Sequence, residues 1–172
     1  MIQNDQITLK IFSEENRDFY AQIYSDKTLM KYITKPLNKT ESDRSFDFIL
    51  KRMAADEYLL SPCVIRHKAT NKNVGVISLR KLSDNSDTCE IGVIILKSYQ
   101  RQKFAHQAKS LLIQAAFHQS QTTKIIAICE KSNKAANQAN QKLGFKFSQE
   151  FLDPKDNILK IKWLISQEDT VK

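Results

Sequence analysis

Cys89-Glu90-Ile91-Gly92-Val93-Ile94-Ile95-Leu96, followed by Lys97-Ser98-Tyr99-Gln100-Arg101-Gln102-Lys103-Phe104-Ala105, is the stretch on which the fold turns. Its first half is almost unbroken apolar sequence, the pattern of a central strand covered on both faces. A polar loop follows. From 103 to 118, Ala108, Leu111, Leu112, Ala115 and Ala116 then recur at the spacing of one helix face. Strand, short polar loop and helix form a general arrangement for holding an anion. The first N–H groups of the helix have no partner inside it, and the helix dipole favours negative charge there. Arg101 and Lys103 stand at that mouth. No GxxxxGK[ST] and no GxGxxG occurs, so neither a P-loop nor a dinucleotide fingerprint is present. Glu90 is the one acid inside the apolar run. An acid in such surroundings is a candidate general base; the other reading is a structural acid paired with a basic neighbour.

Upstream, Ile7, Leu9 and Ile11 alternate as in a strand. Ser13 is placed to cap a helix facing inward with Phe19 and Ile23. Residues 26–33 look like a short helical turn ending before Pro36. Thr40-Glu41-Ser42-Asp43 resembles a capping box, and Phe46, Ile49, Leu50 and Met53 follow at helical spacing. Residues 59–68 and 74–82 read as a hairpin across Thr70-Asn71-Lys72-Asn73, and residues 83–87 as a loop. Downstream, 124–129 is a buried strand and 133–143 a short helix stopped by Gly144. Residues 145–152 and 158–165 make a last hairpin across 153–157. The order β-α-α-β-β-β-α-β-α-β-β predicts one α/β (α+β) domain over 1–172, with a mixed sheet of about seven strands and about four helices. There is no internal repeat, linker or low-complexity tract.

The 172 residues carry 27 basic and 19 acidic side chains, a net +8. Nine of the basic residues and only one acid, Glu130, fall between Lys97 and Lys146, so this one segment holds the whole excess. Such a window suits a polyanion, whether nucleic acid, a membrane surface or a phosphorylated cofactor; the alternative is a solvated lysine-rich face. No apolar run approaches the roughly 18 residues of a membrane span, and the polar start lacks a signal-peptide core. Cys63, Cys89 and Cys129 form no CxxC, and His67, His106 and His118 share no metal-ligand spacing with them. Reduced thiols, a cytoplasmic location and no metal are expected.

Gln100-Arg101-Gln102-Lys103-Phe104-Ala105 resembles the Gln/Arg-x-x-Gly-x-Gly/Ala loop of the GNAT superfamily of acyl-CoA-dependent N-acyltransferases. Asn133-Lys134-Ala135-Ala136 and Lys142-Leu143-Gly144-Phe145 are similar to that family's Asn-x-x-Ala/Ser and Lys-x-Gly-Phe segments. Glu90-Ile91-Gly92 resembles the same strand in the ribosomal-protein N-acetyltransferase branch. The resemblance covers essentially the whole chain and departs from the family at two places. Lys103 stands where the loop has its first glycine, and Asn140 where many members carry a catalytic Tyr.

The resemblance implies a mostly antiparallel sheet splayed between its fourth and fifth strands. It implies acetyl-CoA as cosubstrate, its pyrophosphate held by Gln100, Arg101, Gln102, Lys103, Phe104 and Ala105. The pantetheine arm would lie against main-chain groups near Ile94 and Leu96, the N–H near Ile95 would polarise the thioester carbonyl, and Asn133 would orient the far side. Glu90 would take the proton of an attacking amine, with Glu150 as second candidate; Tyr99 and Tyr32 are weighed as proton donors. Cys89 points away from Glu90 and no histidine is placed to activate it or Cys129, which argues against an acyl-enzyme. The acceptor, a peptide N-terminus or small amine, is expected near 24–36, 53–60 and 151–157. A CoA-binding module without transferase activity is the alternative, and a nucleic-acid binder a third; a homodimer is left open.

Overall fold

The computed structural model describes residues 2–55, 58, 60–82 and 87–170. The expected loop at 83–86 and part of the acceptor stretch at 53–60 lie outside them. The strands are β1 (Ile2–Gln3), β2 (Ile7–Ile11), β3 (Leu60–His67), β4 (Asn73–Lys81), β5 (Thr88–Ile95), β6 (Lys124–Glu130), β7 (Lys146–Asp153) and β8 (Ile158–Ser166). The helices are α1 (Arg17–Ser25), α2 (Lys27–Met30), α3 (Lys39–Ala54), α4 (Phe104–Gln119) and α5 (Lys134–Lys142). One sheet runs β1-β2-β3-β4-β5-β6-β8-β7. All its pairs are antiparallel except β5–β6. The strand count exceeds the expected one by β1, two residues long and too short for periodicity to reveal, while the helical turn expected at 26–33 is the one-turn helix α2.

Helix starts follow side-chain chemistry. Ser13 opens a 3-10 turn, Glu14–Asn16, and α1 begins only at Arg17. The capping box of α3 is not Thr40–Asp43. Asn38 accepts from the Glu41 N–H at 2.9 Å, and Glu41 accepts in return from the Asn38 N–H at 2.9 Å. A glutamate three residues past an asparagine reaches back to the cap amide, which the shorter Asp43 does less well. Asn133 caps α5 by accepting from the Ala136 N–H at 3.2 Å. Gly144 ends α5 at φ +96°, a backbone state that glycine adopts without the Cβ penalty.

Helices cover both faces of the sheet. On one, Ile7, Leu9, Ile65, Ile77, Leu79, Cys89, Ile91 and Ile95 pack against Phe104, Ala108, Leu112 and Ala116 of α4, with Phe145 and Trp163 beside them. On the other, Val64 and Val76 meet Phe12, Tyr20, Ile23, Met30 and Phe46 from the α1–α3 side. Alternation along β5 therefore sends Cys89, Ile91 and Ile95 toward α4 and Glu90, Gly92 and Ile94 toward the other face.

Candidate active site

The sheet parts in its middle. β5 pairs with β4 along Cys89–Ile95, and β6 pairs with β8 over its whole length. Between β5 and β6 only three pairs form: Thr88 with Lys124, Cys89 with Ile125 and Glu90 with Ile126. From Ile91 and Ala127 onward the two parallel strands diverge and leave a wedge. The Leu96 N–H donates to the Val74 carbonyl at 2.9 Å, and the Leu96 carbonyl accepts from the Tyr99 N–H at 2.8 Å. Main-chain groups alternate sides along a strand, so Val93 and Ile95 face the wedge. The main-chain groups of Ile94 and Leu96 turn toward β4. The Ile95 carbonyl meets Gln100 Nε2 at 3.0 Å on the wedge side.

The loop above the wedge is built without glycine. Arg101 and Lys103 hold φ of 62° and 65°, the left-handed region. Lys103 is the N-cap of α4 and offers no side-chain cap. The start of α4 thus differs from those of α3 and α5, where Asn38 and Asn133 occupy helical N–H groups. Gln102 is tied down by Nε2 donating to the Ser98 carbonyl at 3.0 Å. Arg101 and Lys103 are exposed, while Phe104 is buried against Tyr99 and His67, with ring centroids 6.2 and 5.1 Å away. Uncapped N–H groups, two exposed cations and the small Ala105 together form a positive surface of the kind that favours an anion.

Glu90 lies on the α1–α3 face at the point where the strands part. Its Oε2 accepts from Arg80 Nη2 at 2.7 Å across β4–β5, with the carboxylate 27% exposed. Glu150 is engaged by Lys131 at 2.9 Å, away from the wedge on β7. Tyr32 lies under Lys31, whose Nζ is 4.9 Å from its ring. Burial pushes the Cys63 thiol up to about 12 and raises those of Cys89 and Cys129 as well. Cys89 Sγ contacts Thr122 Oγ1 at 3.4 Å and Cys129 Sγ accepts from Asn140, so neither thiol has an activating base in these contacts.

One feature of the site escapes the sequence reading. Lys109, one of the nine basic residues between Lys97 and Lys146, is buried and donates from Nζ to Asn140 Oδ1 at 2.7 Å. Desolvation lowers its pKa to about 8. The signal was present: Lys109, Leu112, Ile113 and Ala116 are spaced i, i+3, i+4, i+7, which places Lys109 on the inward stripe.

Among the described residues no group of His, Cys, Asp or Glu is arranged to hold a metal, and no helix is long and apolar enough to cross a membrane. No curated protein matches the chain. Solved structures match its fold along nearly its whole length. A GNAT-family acetyltransferase from Bacillus anthracis is 20% identical with TM-score 0.84, covering 97% of this chain and 98% of its own. Spermidine N-acetyltransferase from Vibrio cholerae, in complex with CoA and spermine, is 17% identical with TM-score 0.85, covering 98% and 100%. The ribosomal-protein alpha-N-acetyltransferase RimL, in complex with coenzyme A, is 15% identical with TM-score 0.83, covering 96% and 97%. The family model for the acetyltransferase (GNAT) domain matches residues 6–146. With the splayed β5–β6 pair and the uncapped α4 beneath that match, the chain belongs to the GNAT acetyltransferase family.

Proposed function

We propose that this protein transfers the acetyl group of acetyl-CoA to a primary amine by direct attack within a ternary complex. The observation that carries this reading is the wedge between β5 and β6 opening beside the uncapped start of α4. The gap presents unshared main-chain groups to a slender chain, and the loop presents N–H groups and two cations to its phosphates. The loop from Gln100 to Ala105 cradles the pyrophosphate, and Arg101 and Lys103 add charge. Val93 and Ile95 flank the pantetheine arm, and Asn133 borders its far side. The Ile95 N–H donates to the thioester carbonyl as it gains negative charge, a contribution typically worth about 3 to 4 kcal/mol.

The acceptor amine must lose a proton before or as it attacks. Glu90 is the nearest acid to the point where the strands part. It takes that proton directly or through a water, and Arg80 fixes its rotamer. The acceptor is a peptide N-terminus or a small amine, consistent with the spermine and ribosomal-protein chemistry of two structural neighbours. A cytoplasmic location fits acetyl-CoA as donor.

The test is release of free thiol from acetyl-CoA over a panel of peptides, polyamines and amino sugars. Thiol should appear only with an amine present and in equal amount to acetylated product. Lys103 and Asn140, which depart from the family pattern, favour one competing reading, a CoA-binding module. Stabilisation by both CoA and acetyl-CoA with no thiol release across the panel would establish that reading instead.

A further inference from the structure

A buried lysine links the two helices that flank the wedge. Lys109 leaves α4, which packs on β5, and its Nζ reaches Asn140 Oδ1 of α5 at 2.7 Å. Asn140 Nδ2 in turn donates to Cys129 Sγ of β6 at 3.3 Å. The chain α4–α5–β6 therefore spans, on one face of the sheet, the gap that opens between β5 and β6. Asn140 is fully buried and Lys109 only 9% exposed. The Phe145 ring lies 5.7 Å from Nζ. Among the described residues no carboxylate pairs with Lys109. The titratable group facing it is Cys129 from β6. The α5 side offers the Asn140 amide, the segment after α5 offers Phe145, and Glu90 of β5 acts on Cys129. An ammonium carries three donors, and the amide oxygen takes one. A buried cation without a counter-ion costs stability unless an anion forms beside it.

We propose that Lys109, held in place by Asn140, is the general acid that protonates the sulfur of CoA as the carbon–sulfur bond breaks. This role rests on the acetyl-transfer reading above. The amine nitrogen bonds to the thioester carbon, and its excess proton passes to Glu90 or water. The C–S bond then breaks, its electron pair goes to sulfur, and a proton from Lys109 Nζ completes the thiol. Lys109 is left neutral and regains one proton from solvent before the next turnover, so one proton leaves the amine and one arrives on sulfur. Desolvation sets the Lys109 pKa at about 8, close to the thiol it serves, which suits proton transfer in either direction. Asn140 occupies the place of the Tyr carried by many members. It moves no proton itself, but it aims the group that does.

Two measurements test this in the full-length protein: the pH profile of single-turnover acetyl transfer, and titration of the thiol of bound CoA by thiolate absorbance. In the wild type the rate should fall above about pH 8, as Lys109 loses its proton. Bound CoA should titrate below free CoA, because the ammonium favours its thiolate. Lys109→Met should slow transfer about a hundredfold, abolish the basic limb and return the bound thiol to its free value. Asn140→Asp should hold the ammonium charged and move the basic limb to higher pH. A Lys109→Met rate within twofold of wild type with the basic limb intact would overturn the proposal. So would identical thiol titrations in both proteins, or mass-spectrometric acetylation of Lys109 itself, which would make it an acceptor. Should Lys109→Met fail to fold, an unmoved basic limb in Asn140→Asp overturns the proposal equally. If wild type binds CoA yet acetylates no amine, the acetyl-transfer reading fails, and the thiol titration still decides whether Lys109 faces the sulfur.

Discussion

Replacing Lys103 by glycine separates two effects that this residue combines. Its φ of 65° places an L-residue in the left-handed region at the N-cap of α4. That conformation costs about 1–2 kcal/mol for a side chain with a Cβ. Glycine removes the cost but brings a freer unfolded chain, worth roughly 0.4–1 kcal/mol against folding. Lys103→Gly should therefore stabilise the ligand-free protein by about 0.5–1 kcal/mol. For a chain of this length that is a rise of about 1–4 °C in melting temperature. The same substitution deletes an exposed ammonium beside the phosphate cradle. Acetyl-CoA affinity should fall severalfold at low salt, and the loss should shrink once the screening length drops below about 10 Å near 0.1 M. Thermal melts without ligand, and calorimetric titrations at two salt concentrations, read the two effects independently. A lower melting temperature for the free variant would show that the loop holds no such strain. Tighter binding at every salt concentration would show that the lysine obstructs the cofactor.

Four other outcomes are expected. Arg101→Ala should weaken acetyl-CoA more than a dephosphorylated pantetheine analogue; equal losses would remove Arg101 from the phosphate site. Glu90→Gln should leave acetyl-CoA affinity nearly unchanged and lower turnover about a hundredfold; wild-type turnover would pass the role to solvent. Lys109 is protonated in both folded and unfolded states below pH 8, and only in the unfolded state between about 8 and its ordinary 10.5. Stability should thus rise by about 3 kcal/mol across that window, measured by denaturant melts, and Lys109→Met should lack the rise. Gly75→Ala should cost about 1–3 kcal/mol and disturb cofactor binding, since a Cβ there would stand 2.3 Å from the Ile94 carbonyl oxygen and force β5 outward at the wedge; unchanged melting and affinity would show that β5 yields freely.

The order of elements was legible because each long element repeats its signal. The strand read from Ile7, Leu9 and Ile11 and the stripe of α4 both match the structure, although Thr8 is buried and Ile11, at the strand's end, is exposed. β1, two residues long, gives periodicity nothing to work on, whereas α2 falls within the helical turn read at 26–33 before Pro36. The start of α3 was misread because two polar tetrads compete there, and only side-chain reach separates Asn38–Glu41 from Thr40–Asp43. The anion-binding loop was visible as strand, loop and cations, yet its backbone was not. Nothing in the letters Arg101 and Lys103 announces a left-handed conformation that glycine would normally mark. Glu90 stood out as an acid among apolar residues, whereas its pairing with Arg80 depends on the register that sets the two opposite each other. Lys109 was hidden by its charge: a composition count places every lysine in solvent, while the helical stripe places this one inside.

The three residue pairs joining β5 to β6 are the narrowest point of the hydrogen-bond ladder between the sheet's longer strands, although one core packs beneath both halves. One is the antiparallel set from β1 to β5 with α4 docked on it, and the other is β6, β8 and β7. Each is contiguous in sequence and satisfies its own ladder, and the main seam in the sheet between them is short and parallel. Opening at that seam should therefore be the least costly large fluctuation of the ligand-free fold. A ligand bonded to both lips of the wedge would act as a strut across the ladder's narrow point. Amide exchange in β6 and β8 should then slow on cofactor binding even at residues far from any ligand atom, making cooperativity itself a record of occupancy.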